Sequence, residues 1–106
     1  MANIEVVALP GDGIGPEVAS AVTRVLEAVA PAFGHELTIH RHEVGWAAYQ
    51  QHGTPLPDDT LAACRRGRAV FLGAVGDPRA DGLPPEKRPE AALLRLRREL
   101  GCFANL

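Results

Sequence analysis

Three short strand-like segments, alternating with segments of helical spacing, constrain this chain more than any other feature. The first, residues 4–9, is apolar apart from Glu5 and stops at Pro10-Gly11-Asp12-Gly13-Ile14-Gly15-Pro16, which reads as a buried strand, a tight turn and a helix start. From Pro16, suited to a first helical position, Val18, Val22, Val25, Leu26 and Val29 recur at helical spacing until Pro31 ends the helix. Leu37 and Ile39 then alternate with Thr38, His40 and His42, as in a strand with one polar face. A looser segment through Trp46 and Tyr49 and a rigid connection at 53–57 lead to a short helix. That helix carries Asp58 and Asp59 in front, Arg65 and Arg66 behind and Gly67 just beyond, the charge order a helix dipole favours. Residues 69–72 form a continuous apolar run, as expected of a central strand covered on both faces. The Gly/Pro/Asp-rich stretch 74–88 is expected to be a long functional loop without regular structure, and a last helix runs from Pro89 to its stop at Gly101.

Strand and helix in strict alternation predict an α/β fold, a parallel-rich sheet with helices on both faces. The 106 residues suffice for one domain with no internal boundary. Ligands of such sheets gather beyond the carboxyl ends of the strands, and both Gly-rich segments, 11–15 and 73–77, project there. A net charge of −2 argues against attachment to nucleic acid or to an anionic membrane. No apolar run is long enough to span a bilayer and no secretion-signal order is present, so a cytoplasmic location is expected. Cys64 and Cys102 lie far apart without a CxxC, which suggests reduced, packed thiols.

The last helix carries the chemistry. If residues 89 onward are helical, Glu90, Leu93, Leu94 and Arg97 fall at i, i+3, i+4 and i+7 and share a face. A carboxylate, two branched alkyl groups and a guanidinium then line one wall. That wall suits a small molecule with an isoalkyl tail and a carboxylate, which the planar fork of arginine matches bidentately. Periodicity alone favours a plain amphipathic helix, with Leu93, Leu96 and Leu100 as its buried stripe and the charges solvated. Two other motifs are weaker. Gly11-Asp12-Gly13-Ile14-Gly15 departs from the dinucleotide fingerprint, because the third glycine comes one residue early and Pro16 replaces a free N–H, so a sharp structural turn is preferred. His40 and His42 would share a strand face, but no third metal ligand is evident.

Four blocks, LPGDGIGPEV at 9–18, GTPLPDDTL at 53–61, VFLGAVGDP at 70–78 and RPEAALLRLRRELGCFANL at 88–106, together resemble the 3-isopropylmalate dehydrogenases. These sit within the β-hydroxyacid oxidative decarboxylases, which also include isocitrate, homoisocitrate and tartrate dehydrogenases. The resemblance implies an NAD-dependent enzyme of leucine biosynthesis that oxidises and decarboxylates 3-isopropylmalate with magnesium or manganese, working as a homodimer. By that likeness Arg97 grips a substrate carboxylate, Leu93 and Leu94 line the isopropyl pocket, and Glu90 stands between substrate and nicotinamide. Ile14 packs near the nicotinamide ribose, and Gly76, Asp77, Pro78 and Arg88, with Glu90, border the cofactor. Two residues depart from the family pattern: Asp77 replaces the second glycine of a GGP turn, and Trp46 replaces a small residue. Family members are much longer. Their catalytic tyrosine and lysine and their metal-binding aspartates have no counterpart here, so the chain is expected to be the amino-terminal part of the enzyme and inactive alone. The rivals are another member of the wider family or a non-catalytic α/β binding module.

Overall fold

A computed structural model describes residues 2–104; Asn105 and Leu106, which close the FANL block, lie outside the described residues. Three parallel strands, β1 (Asn3–Gly11), β2 (Glu36–Arg41) and β3 (Ala69–Ala74), form a sheet in the order β2-β1-β3. Helix α1 (Gly15–Ala32) crosses from β1 to β2. Helices α2 (Trp46–His52) and α3 (Asp58–Arg66) lie between β2 and β3, and α4 (Pro89–Glu99) follows β3. The expected α/β architecture is therefore present.

Strand β1 pairs with β2 along one edge and β3 along the other, which makes it the centre of the sheet, and both its faces are covered. Val7 and Leu9 enter one core cluster with Leu61, Ala63 and Cys64 of α3 and Ala92 and Leu96 of α4. Val6 and Ala8, pointing the other way by strand alternation, are buried on the α1 side. Each fully buried branched side chain contributes about 1.5–3 kcal/mol. The apolar run expected to be central, β3, instead lies at an edge of the three described strands, with half-buried side chains. Strand order depends on pairing between distant segments, and a continuous apolar run carries no record of which neighbour it meets.

Local departures have physical causes. Helix α1 starts at Gly15, one residue before the expected Pro16, and keeps Pro31 in its last turn rather than ending there. Its sheet-facing side is Gly15 and Ala19 with half-buried Val22 and Leu26, while Val18, Val25 and Val29 are exposed. Small residues let the helix sit close to the strands, and the bulkier valines flank the contact. The looser segment at Trp46 and Tyr49 is a helix, α2, and the 74–88 stretch contains two 3-10 turns, Pro78–Ala80 and Pro85–Lys87. Cys64 is buried, which pushes its thiol pKa up; Cys102 is exposed, contrary to the expected packing, because it follows the end of α4. Among the described residues no helix is long and apolar enough to cross a membrane.

Candidate functional site

The connection leaving β1 and the one leaving β3 part to opposite sides at the carboxyl edge of the sheet. In an open parallel sheet that crevice is where ligands bind. Its floor is backbone packed on backbone. A Cβ at Gly15 would stand 1.9 Å from the Pro10 carbonyl oxygen and 3.0 Å from the Ala74 nitrogen, so only glycine lets α1 start this close to the ends of β1 and β3. The glycine-rich turn thus serves chain crossing, as its departure from the dinucleotide spacing suggests.

Asp12 organises the crevice, and sequence reasoning passed over it as one residue of the turn. The residue is 6% exposed, and its carboxylate accepts backbone N–H bonds from Trp46 (2.8 Å), Ala47 (3.2 Å) and Gly76 (3.0 Å). Trp46 and Ala47 open α2, so Asp12 caps that helix from 34 positions away in the chain. Gly76, with φ of 129°, brings the turn after β3 under the same carboxylate. A Cβ there would lie 3.3 Å from Glu90 Oε1. Three segments, the β1 turn, the start of α2 and the turn after β3, therefore meet at Asp12, and Glu90 of α4 adjoins the last of them.

Asp77 caps the first 3-10 turn through the Arg79 N–H (2.8 Å) and takes a bidentate grip from the Arg79 guanidinium, Nε at 2.9 Å and Nη2 at 2.7 Å. These hydrogen bonds hold the Asp77 carboxyl down at about 2. The same guanidinium lies over the Trp46 ring, 5.5 Å from its centroid, and Trp46 stacks on Tyr49 at 5.6 Å. Arg88 turns into its own loop, donating to the carbonyl oxygens of Leu83 (3.0 Å) and Asp81 (3.2 Å). Pro78 and Ile14 are exposed at the crevice, Ile14 as the residue before α1.

Helix α4 starts at Pro89 as expected and ends at Glu99, with Gly101 just beyond it in the left-handed region. Its buried stripe is Pro89, Ala92 and Leu96, with Leu100 packed alongside, not the Leu93-Leu96-Leu100 row that periodicity allowed. Glu90, Leu93, Leu94 and Arg97 lie roughly a quarter-turn round from that stripe. Leu93 is half-buried, Leu94 is 63% exposed, and Glu90 and Arg97 are exposed. The four residues share a face that the described core does not use. On β2, His40 meets Glu5 at 3.2 Å and lines, with His42 and Arg66, a hollow of about 220 Å³. No cluster of three potential metal ligands occurs among the described residues.

Residues 5–106 match the family described as isocitrate/isopropylmalate dehydrogenase. The chain belongs to that family. It is 53% identical over 104 residues to the 3-isopropylmalate dehydrogenase of Nitratidesulfovibrio vulgaris, covering 98% of this chain and 29% of that protein. The enzyme of the same name from Geobacillus kaustophilus is 51% identical over 106 residues, again covering 29% of its length. The crystal structure of a β-decarboxylating dehydrogenase from Thermococcus kodakarensis superposes with a TM-score of 0.73 at 38% identity, covering 92% of this chain and 27% of that one. Isocitrate dehydrogenase from Methylococcus capsulatus gives 0.63 at 37% identity, covering 74% and 22%. This chain thus spans under a third of the length of its isocitrate/isopropylmalate dehydrogenase relatives.

Proposed function

We propose that this chain is the amino-terminal segment of a cytosolic, homodimeric 3-isopropylmalate dehydrogenase, catalysing NAD-dependent oxidative decarboxylation in leucine biosynthesis. The observation that carries the reading is the unused face of α4: two leucines outside the helix's core stripe, with an exposed arginine one turn beyond Leu93 and a carboxylate one turn before it. Leu93 and Leu94 offer dry contact to an isopropyl group, and they would leave a polar substituent in its place without partners. Arg97 grips the substrate carboxylate through its fork. An aliphatic hydroxyacid with one branched apolar arm matches that pair better than isocitrate or tartrate.

The cofactor end fits a nicotinamide nucleotide in the groups it offers. Glu90 presents an exposed carboxylate suited to a cationic ring, and exposed Ile14 offers apolar contact to the adjoining ribose. Gly76, Asp77 and Pro78, with Arg88 bracing their loop, border the same end. NAD, when bound, supplies hydride acceptance; Arg97, Leu93 and Leu94 orient the substrate carbon toward it, and the apolar pair excludes water. The ligands for magnesium or manganese, and the groups that move protons, belong to the rest of the enzyme, and the segment alone is inactive.

The test uses the full-length protein with NAD and a divalent metal. NADH formation with carbon dioxide release is expected to be most efficient with 3-isopropylmalate, and Arg97→Lys is expected to lower kcat/KM on the order of fivefold by losing the fork while keeping the charge. Higher kcat/KM with isocitrate, tartrate or malate would overturn the substrate assignment, and an unchanged Arg97→Lys would remove the role of Arg97.

A further inference from the structure

The two residues that depart from the family pattern, Trp46 and Asp77, are joined to each other through a third, Arg79. The connection closes a ring. Asp12 accepts N–H bonds from both Trp46 (2.8 Å) and Gly76 (3.0 Å); Gly76 precedes Asp77; Asp77 is held bidentately by Arg79; and Arg79 returns to Trp46 over its ring face at 5.5 Å. Tyr49, stacked beneath Trp46, backs the indole. The Asp77 side chain is only 14% exposed, whereas that of Arg79 is 66% exposed.

We propose that Arg79 is a positioning residue: it cancels the Asp77 charge at the cofactor end of the crevice and fastens the turn after β3 to α2 through Trp46. The inference rests on the reading that this turn borders NAD. A glycine at position 77 would present no charge to a pyrophosphate. An aspartate there repels one unless a cation is held against it, and the ring face of Trp46 holds that cation in place from the other side. The two substitutions are thereby parts of one device, and neither works without Arg79.

The test is made on the full-length enzyme. Arg79→Ala bares the Asp77 carboxylate, so KM for NAD rises on the order of fivefold while kcat changes less than twofold, and the rise shrinks at high salt because an exposed charge is screened. Adding Asp77→Asn to Arg79→Ala brings KM back toward the wild-type value. An unchanged KM in Arg79→Ala overturns the proposal. So does a double variant no better than Arg79→Ala, which would make Arg79 itself a nucleotide ligand. A second readout does not depend on the reaction: the near-UV circular dichroism difference between wild type and Arg79→Ala is expected to vanish when both carry Trp46→Phe, and a difference that persists overturns the seating on Trp46. If wild type reduces no NAD, the functional reading fails, and the spectroscopic arm alone then decides whether the clamp exists.

Discussion

The floor of the crevice and the open face of α4 lie near one another, the Glu90 side chain reaching toward the turn at Gly76, yet they are built on opposite terms. In the floor the backbone packing and the Asp12 carboxylate are committed: Gly15 has no room for a methyl, and the carboxylate is shared among three N–H donors. On the open face, Leu94 and Arg97 have no part in the described core, and burial of α4 is achieved without them. The pairing teaches where the demands of folding end. A residue whose replacement breaks the backbone crossing explains the fold, and a large apolar residue that the fold does not need invites a ligand.

The sharpest way to break this contrast is Gly15→Ala. The added Cβ meets a main-chain oxygen at 1.9 Å, and because that oxygen belongs to the backbone rather than to a flexible side chain, relief requires moving β1 against α1. A loss of about 3 kcal/mol or more is expected, at the upper end of overpacking effects, read as a lower urea midpoint at unchanged slope. A midpoint within experimental error of wild type would mean that the crossing is not the rigid element described.

Substitution on the open face is expected to divide stability from function. Leu93→Ala in the full-length enzyme should weaken discrimination of isopropylmalate against malate by about 1–3 kcal/mol in kcat/KM. Leu94→Ala, at a side chain 63% exposed, should shift unfolding by no more than about 0.5 kcal/mol. Equal kinetic losses with both substrates in Leu93→Ala would remove the pocket assignment. A large stability loss in Leu94→Ala would place that leucine in a core and erase the contrast between the two regions.

The same contrast explains what could be read in advance. Strand β1, helices α1 and α3 and the start of α4 rest on local signals: apolar runs, the Pro16 and Pro89 positions, and acidic-to-basic order along 58–66. Helix α2 was hidden because its cap, Asp12, lies 34 positions away, and no spacing rule links the two. The place of β3 at an edge was equally hidden, since pairing order is a property of distant contacts. On α4 the spacing placed Glu90, Leu93, Leu94 and Arg97 together correctly but could not say which leucine faced inward. The helix docks on the core cluster through Pro89, Ala92 and Leu96, with Leu100 alongside, and Leu93 and Leu94 fall to one side of that stripe. The Asp77-Arg79-Trp46 connection had no sequence signature beyond two unexpected residues.

The smallest expected effect belongs to the rim between the two regions and concerns pH. Hydrogen bonds from Arg79 lower the Asp77 carboxyl from 3.8 to about 2 in the folded chain, so across that interval the unfolded state binds more protons than the folded one. Folding is therefore favoured as pH rises through the interval; the contribution is complete above the unfolded value and disappears as pH falls through the folded one. The stability difference between wild type and Asp77→Asn should then be flat from neutrality down to about pH 5 and shrink steadily as the pH approaches about 2. The difference stays small, because Arg79 is largely exposed and water and salt screen the pair. Added salt should reduce it further and shift its onset upward, because screening Arg79 lets the folded value rise toward 3.8. A difference that is constant through the acid range would mean that the Asp77 charge plays no part in holding the turn, and the rim would then belong with the open face rather than with the committed floor.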